Sequence, residues 1–197
     1  MTALSQSCSD ARKASFVKAS SRTPDFSAME DCRRFGRGEL ITLNQRINIS
    51  CCLDELGRTE EALVIMHRDV LAKMRSLCGP EDPETIKQAI SVSLMLSKLG
   101  RYAEMADFVR PETALARRVL GDEHEITLRL RYHYAQGRLE GAAATGISLA
   151  DFAEAKADIE DVHLRTKRIF GASHPLTYHT TQLLARFRSA TVGPPTG

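Results

Sequence analysis

Glycines that close helices recur in this chain at a nearly fixed interval, and that interval limits the fold more than any other feature. Phe35-Gly36, Cys78-Gly79 and Leu120-Gly121 mark one kind of joint, spaced by 43 and then 42 residues. Leu56-Gly57 and Leu99-Gly100 mark a second kind, again 43 residues apart. A further mark of the first kind, Phe170-Gly171, follows Gly121 by 50 residues, and the excess falls on the Gly/Ala-rich stretch 137–148. A period of about 20 to 50 residues signals stacked supersecondary units, because one such unit cannot bury its apolar face alone.

The residues around each joint say what the units are. Cys78-Gly79-Pro80-Glu81-Asp82-Pro83-Glu84-Thr85 matches Leu120-Gly121-Asp122-Glu123-His124-Glu125-Ile126-Thr127 and Phe170-Gly171-Ala172-Ser173-His174-Pro175-Leu176-Thr177. Glycine just past a helix supplies the left-handed C-cap. Asp82 or His174 then stands at the N-cap and Pro83 or Pro175 at the first helical position. The second joint reads Leu56-Gly57-Arg58-Thr59-Glu60-Glu61-Ala62, echoed by Leu99-Gly100-Arg101-Tyr102-Ala103-Glu104-Met105 and by Leu149–Ala155. Between joints, Ile86, Ile90 and Leu94 keep helical spacing. The pattern is helix pairs.

The expected map is a Ser-rich disordered leader over 1–24, a half repeat over 25–36, and repeats over 37–79, 80–121 and 122–171. A closing helix covers 174–189, and a disordered tail follows over 190–197. Together 25–189 form one repeat domain, with 137–148 as an inserted loop. Pro111 inside the second helix of the second repeat removes a backbone donor and is expected to kink or split that helix.

Composition removes several classes. Tryptophan is absent and aromatics are 6% of residues, which argues against β-sandwiches, whose strands favour aromatic and β-branched side chains. A net charge of +2 does not call for nucleic acid or an anionic membrane, and no apolar run reaches bilayer length. The five cysteines include the adjacent pair Cys51-Cys52 and no Cys-x-x-Cys, so neither a disulfide framework nor a zinc site is indicated. Cys51 and Cys52 read as small core filler. Residues 1–24 carry Arg12, Lys13, Lys18 and Arg22 against Asp10 alone, a composition shared with organelle transit peptides. They lack the clean amphipathic, arginine-rich helix of such peptides, so a plain leader and a cytoplasmic protein are expected.

The joint motifs, Leu-Gly-Arg-x-x-Glu-x-Ala within a repeat and Leu-Gly-x-x-His-Pro-x-Thr between repeats, resemble the tetratricopeptide repeats of kinesin light chains and related scaffold proteins. The resemblance covers about residues 25–189. It implies an all-α, right-handed α-α superhelix of antiparallel helix pairs whose first helices line a concave groove. By register the groove positions are Asn44, Ile47, Asn48 and Cys51; Lys87, Ile90, Ser91 and Leu94; Arg129, Tyr132, His133 and Gln136; and His179, Gln182 and Arg186. Of the paired asparagines with which the family holds a peptide backbone, Asn48 alone is kept. The heptads by which kinesin light chains grip the heavy chain are missing, so only the repeat is shared.

Function expected from this is protein–protein interaction: a groove that takes a peptide or partner protein, with Lys87, Arg129 and Arg186 suited to an acidic one. The alternative is a degenerate or truncated repeat fragment with a structural, self-associating role. Neither cofactor nor metal is expected. His124 and His174 read as caps, His67 and His163 as surface residues, and Glu154, Asp158, Glu160 and Asp161 as a solvated acidic face. No P-loop, dinucleotide-binding glycine pattern, Gly-x-Ser-x-Gly or His-Glu-x-x-His occurs, and no enzyme is expected.

Overall fold

The computed structural model describes residues 37–145 and 149–190, and among them every regular element is helical. The expected leader 1–24, the half repeat 25–36 and the tail beyond Ala190 lie outside the described residues. Helix α1 is Arg37–Glu55. Helix α2 covers 59–77 as three consecutive segments, Thr59–Val64, Ile65–Leu71 and Ala72–Leu77, the middle one π-helical. Then come α3 (Pro83–Lys98), α4 (Tyr102–Leu120), α5 (Glu125–Thr145), α6 (Leu149–Phe170) and α7 (Pro175–Ala190).

The joints fold as their residues dictate. Gly57, Gly79, Gly100, Gly121 and Gly171 all have φ between 71° and 94°, the left-handed region that a side chain at Cβ disfavours. At the first mid-repeat joint Arg58 N–H reaches back to Leu53 O at 2.8 Å and Gly57 N–H to Asp54 O at 3.0 Å, and Arg101 and Gly100 repeat both bonds. That is the Schellman ending, in which the last orphan carbonyls find donors. At the other joint Asp82 Oδ1 accepts from Thr85 N–H at 3.0 Å. His124 and His174 accept through Nδ1 from the N–H of Ile126 and Leu176, at 3.2 and 3.3 Å. The histidines are caps.

Packing follows chain order. Each helix packs on the next, α5 also touches α3 and α7, and no extensive contact joins α1 or α2 to α5, α6 or α7 among the described residues. The buried side chains fall into two clusters that meet at α5: Leu130 belongs to the first, with Ile86 and Met105, while Leu128 and Ala135 belong to the second, with Ile159 and Phe187. Ion pairs recur in register. Arg118–Glu81 is matched by Arg168–Glu123, and Arg58–Glu61 by Arg101–Glu104. Between neighbouring pairs of helices, Asp54 holds Lys98 and Glu60 holds Arg101.

Two expectations need correction. The stretch 137–148 was expected to be a loop, but α5 stays helical to Thr145, and 146–148 lie outside the described residues. The glycines that suggested a loop serve close approach: a Cβ on Gly137 would meet Tyr102 O at 2.8 Å, and one on Gly141 would meet Ala103 N at 3.3 Å. Of the kink or split expected at Pro111, the split does not occur, because α4 runs unbroken through the proline. It is exposed, as is Asp107, whose carbonyl loses its donor on the solvent side. The position equivalent to Pro111 in the preceding repeat is Arg68, inside the π-helical turn of α2. Both second helices therefore break the regular i to i−4 ladder at the same place.

Candidate functional site

The positions expected to line a groove lie on α1, α3, α5 and α7, and the structure brings five of them together. Tyr132 on α5 sits with its ring centroid 5.3 Å from that of His133 and 6.2 Å from that of His179 on α7. Arg129, one turn before His133, acts electrostatically on both imidazoles. Arg186, two turns beyond His179, pairs with Glu140 of α5. Arg129, Tyr132, His133, His179 and Arg186 thus form one cluster across the α5–α7 contact. Gln182 is exposed between His179 and Arg186 along α7. Asn44 and Asn48 on α1, with Lys87 and Ser91 on α3, make no hydrogen bond or ion pair with it among the described residues.

Exposure divides the set. Asn48, His179, Gln182 and Arg186 are exposed, and Asn44, Lys87, Ser91, Arg129 and Tyr132 half-buried. His133 is only 5% exposed, and Ile47 and Ile90 are core residues at 8% and 7%. So His133 is not available as a recognition residue. Its Nδ1 is buried without a hydrogen-bond partner, as is Arg129 Nε. Burial, then the Arg129 and His179 charges, push the His133 pKa down to about 3, which keeps the ring neutral. Desolvation and Arg129 lower His179, while burial raises the Tyr132 hydroxyl.

The three cations expected to meet an acidic partner already hold carboxylates of their own. Lys87 Nζ lies 3.1 Å from Glu84, Arg129 Nη2 lies 2.8 Å from Glu125, and Arg186 pairs with Glu140. The three cationic side chains are 42–57% exposed. Arg129–Glu125, with both partners 42% exposed, contributes roughly 0 to 1 kcal/mol and yields to an incoming carboxylate at small cost, whereas Glu84 and Glu140 are only 19% and 15% exposed and hold their cations more firmly.

Two other charged residues escaped the sequence reading. Arg131 is 5% exposed, and its guanidinium donates to Asp158 and Asp161 of α6. The acidic series on α6 is therefore not simply solvated: Asp158 and Asp161 hold a buried cation, while Glu154 and Glu160 are exposed. Burial works against the Asp161 carboxylate, but Arg165 and Arg131 outweigh it and hold its pKa below the usual range. The available signal was positional, since Arg131 occupies the place of the fully buried Ala89 one repeat earlier. Glu140 was hidden because it fell in the supposed loop. Arg131 and Tyr134 floor a cleft of about 810 Å³ between α4 and α6, with Arg110 5.6 Å over the Tyr134 ring.

Cysteine and metal chemistry gain little from the geometry. Cys51 is half-buried, and burial raises its thiol pKa. Cys52 is exposed rather than core filler, because the adjacent residue on a helix turns by about 100°. Among the described residues no three His, Cys, Asp or Glu side chains gather to hold a metal, and no helix is long and apolar enough to cross a membrane. No protein-family model matches the chain, and no curated protein matches it.

Proposed function

We propose that the helix pairs stack as a right-handed, tetratricopeptide-like superhelix of the kinesin light chain type, and that the groove lined by α1, α3, α5 and α7 binds an extended or helical segment of another protein. The lack of extensive contact between α1–α2 and α5–α7 among the described residues and the two successive cores support the stacking, since a closed bundle would gather its helices around one core. The observation that carries the binding reading is the α5–α7 cluster. There Tyr132, His179 and Arg186 bring an aromatic ring, a neutral imidazole and a 57% exposed guanidinium to one half-open surface beside Arg129.

Such a surface suits an acidic side chain flanked by apolar ones. Binding is reversible and needs neither cofactor nor metal, and the protein works as a scaffold rather than an enzyme, in the cytoplasm, with neither nucleic acid nor membrane as partner. Self-association is the second reading, and Ile49 on α1 and Leu56 in the turn after it, 52% and 73% exposed, favour it.

A displayed random-peptide library screened against the full chain tests the groove. Acidic sequences should be enriched, and their affinity should fall at least tenfold on Arg129→Ala/Arg186→Ala. Binders indifferent to both substitutions, or an empty screen, would sink the reading.

A further inference from the structure

The cleft between α4 and α6 has a counterpart one repeat earlier, and the two places differ in what fills them. Counted from the nearest joint glycine, Arg110 on α4 corresponds to His67 and Thr113 to Leu71. By the same count Asp158 on α6 corresponds to Phe108, and the floor residues Arg131 and Tyr134 to Ala89 and Val92. In the earlier place Leu71 and Ala89 are fully buried and Val92 is nearly so, while His67 meets Phe108 edge on, with ring centroids 5.5 Å apart. Apolar and aromatic side chains fill it. In the later place all four apolar positions carry a polar group, and a cleft of about 810 Å³ remains, within the range of about 300 to 1,000 Å³ that ligand sites occupy.

Stability alone favours the earlier set. A buried ion pair gains little once its charges have been desolvated, and Arg131, 5% exposed, is taken up by Asp158 and Asp161. The charges of the cleft instead sort by wall, Arg110 and Arg117 on α4 facing Glu154, Asp158 and Asp161 on α6. Arg117 is engaged by Asp122, and Asp161 by Arg165 as well as Arg131.

Arg110 and Glu154 are left over. Arg110 donates to the Tyr134 hydroxyl at 3.1 Å and has no carboxylate partner among the described residues. Glu154 makes neither hydrogen bond nor ion pair among them. Both are exposed, and they act on each other electrostatically from opposite walls without pairing. One wall therefore seeks an anion and the other a cation.

A ligand that matches both walls needs opposite charges on opposite sides. An extended chain has them when acids and bases alternate, because successive side chains of a strand point to opposite faces. Adjacent residues of a helix diverge by only about 100° and do not separate in this way. We infer that the cleft binds an extended segment of a partner protein in which acidic and basic residues alternate, the acids toward Arg110 and the bases toward Glu154. It works independently of the α5–α7 groove.

Two fluorescent octapeptides of four glutamates and four lysines, one in strict alternation and one in two blocks, provide the test by anisotropy against the full chain. Composition and net charge are the same, so order alone distinguishes them. The alternating peptide should bind at least tenfold more tightly than the block peptide, and more weakly as salt rises. Arg110→Glu makes both walls acidic and should weaken it at least tenfold; Glu154→Arg makes both basic and should do the same. The two together exchange the walls, and binding should return, because a strand turned half way about its axis presents the same pattern. That return excludes unfolding as the cause of either single loss. Arg129→Ala/Arg186→Ala should leave the alternating peptide bound. Equal binding of the two peptides, absence of binding, loss with the groove substitutions, or single losses that the exchange fails to reverse would overturn the inference.

Discussion

Replacing His133 by phenylalanine should remove most of the loss of stability that the protein suffers between pH 7 and pH 5. The imidazole is 5% exposed, its Nδ1 has no acceptor or donor opposite it, and the Arg129 and His179 charges lie beside it. All three disfavour a proton, and the folded-state pKa is about 3. In the unfolded chain the same group titrates near its ordinary value of about 6.5. The unfolded state therefore takes up the proton first. Stability is complete above pH ~6.5, falls as pH drops, and stops falling below pH ~3. At roughly 1.4 kcal/mol per unit, the residue removes about 2 kcal/mol by pH 5 and at most about 5 kcal/mol in total. Against a domain stability of about 5 to 15 kcal/mol this is large.

Urea unfolding followed by circular dichroism at pH 7, 6 and 5 gives the comparison directly. His179, His163, Asp161 and Asp122, whose pKa values are also lowered, remain in the variant, so the difference between the two curves belongs to His133. At pH 7 the variant should lie close to the parent, since removing a stranded nitrogen (about 1 to 3 kcal/mol) offsets the crowding by a larger ring (about 1 to 3 kcal/mol). Parallel curves for parent and variant would refute the reasoning.

Other substitutions follow from the packing. Gly137→Ala sets a methyl against the Tyr102 carbonyl and Ala106 and should cost about 1 to 3 kcal/mol in urea unfolding despite alanine's helix propensity; a stabilised variant would mean that α5 and α4 are not in close contact there. Arg131→Ala strands Asp158, which is 26% exposed and so partly rehydrates, while Asp161, 42% exposed, keeps Arg165. The loss should be about 2 kcal/mol, below the 3 to 5 typical of a fully buried pair, and Arg131→Met should recover part of it in the same assay. Asp82→Ala removes the acceptor of Thr85 N–H and should lower stability by about 1 kcal/mol, with a neutral result arguing against the cap.

The joints were legible because they are local. Gly57, Gly79, Gly100, Gly121 and Gly171 announce themselves through a backbone angle that other residues avoid, and Asp82, His124 and His174 through a bond to a residue two or three positions away. Helix ends at these joints were therefore readable, whereas the end of α5, expected before 137, lies at Thr145. Gly137 and Gly141 carry the same residue type for a different reason: they admit a neighbouring helix, and that neighbour is set by tertiary packing which the sequence does not display. His133 was readable as a groove position by register alone. Its burial depends on the rotation of α5 between two cores, as Leu128 and Leu130 facing different clusters shows. Arg131 is the converse, a charge whose partners lie 27 and 30 residues away on α6, where no spacing rule reaches.

Native-state hydrogen exchange on Phe187→Ala tests the succession of helix pairs most directly. Phe187 is fully buried in the second cluster, and its truncation should cost about 3 to 5 kcal/mol. If coupling passes only between neighbours, protection should fall across α5, α6 and α7 while the slow amides of α1 to α3 keep theirs. Equal loss of protection in all seven helices would contradict the account, because it would mean a single core shared by the whole chain.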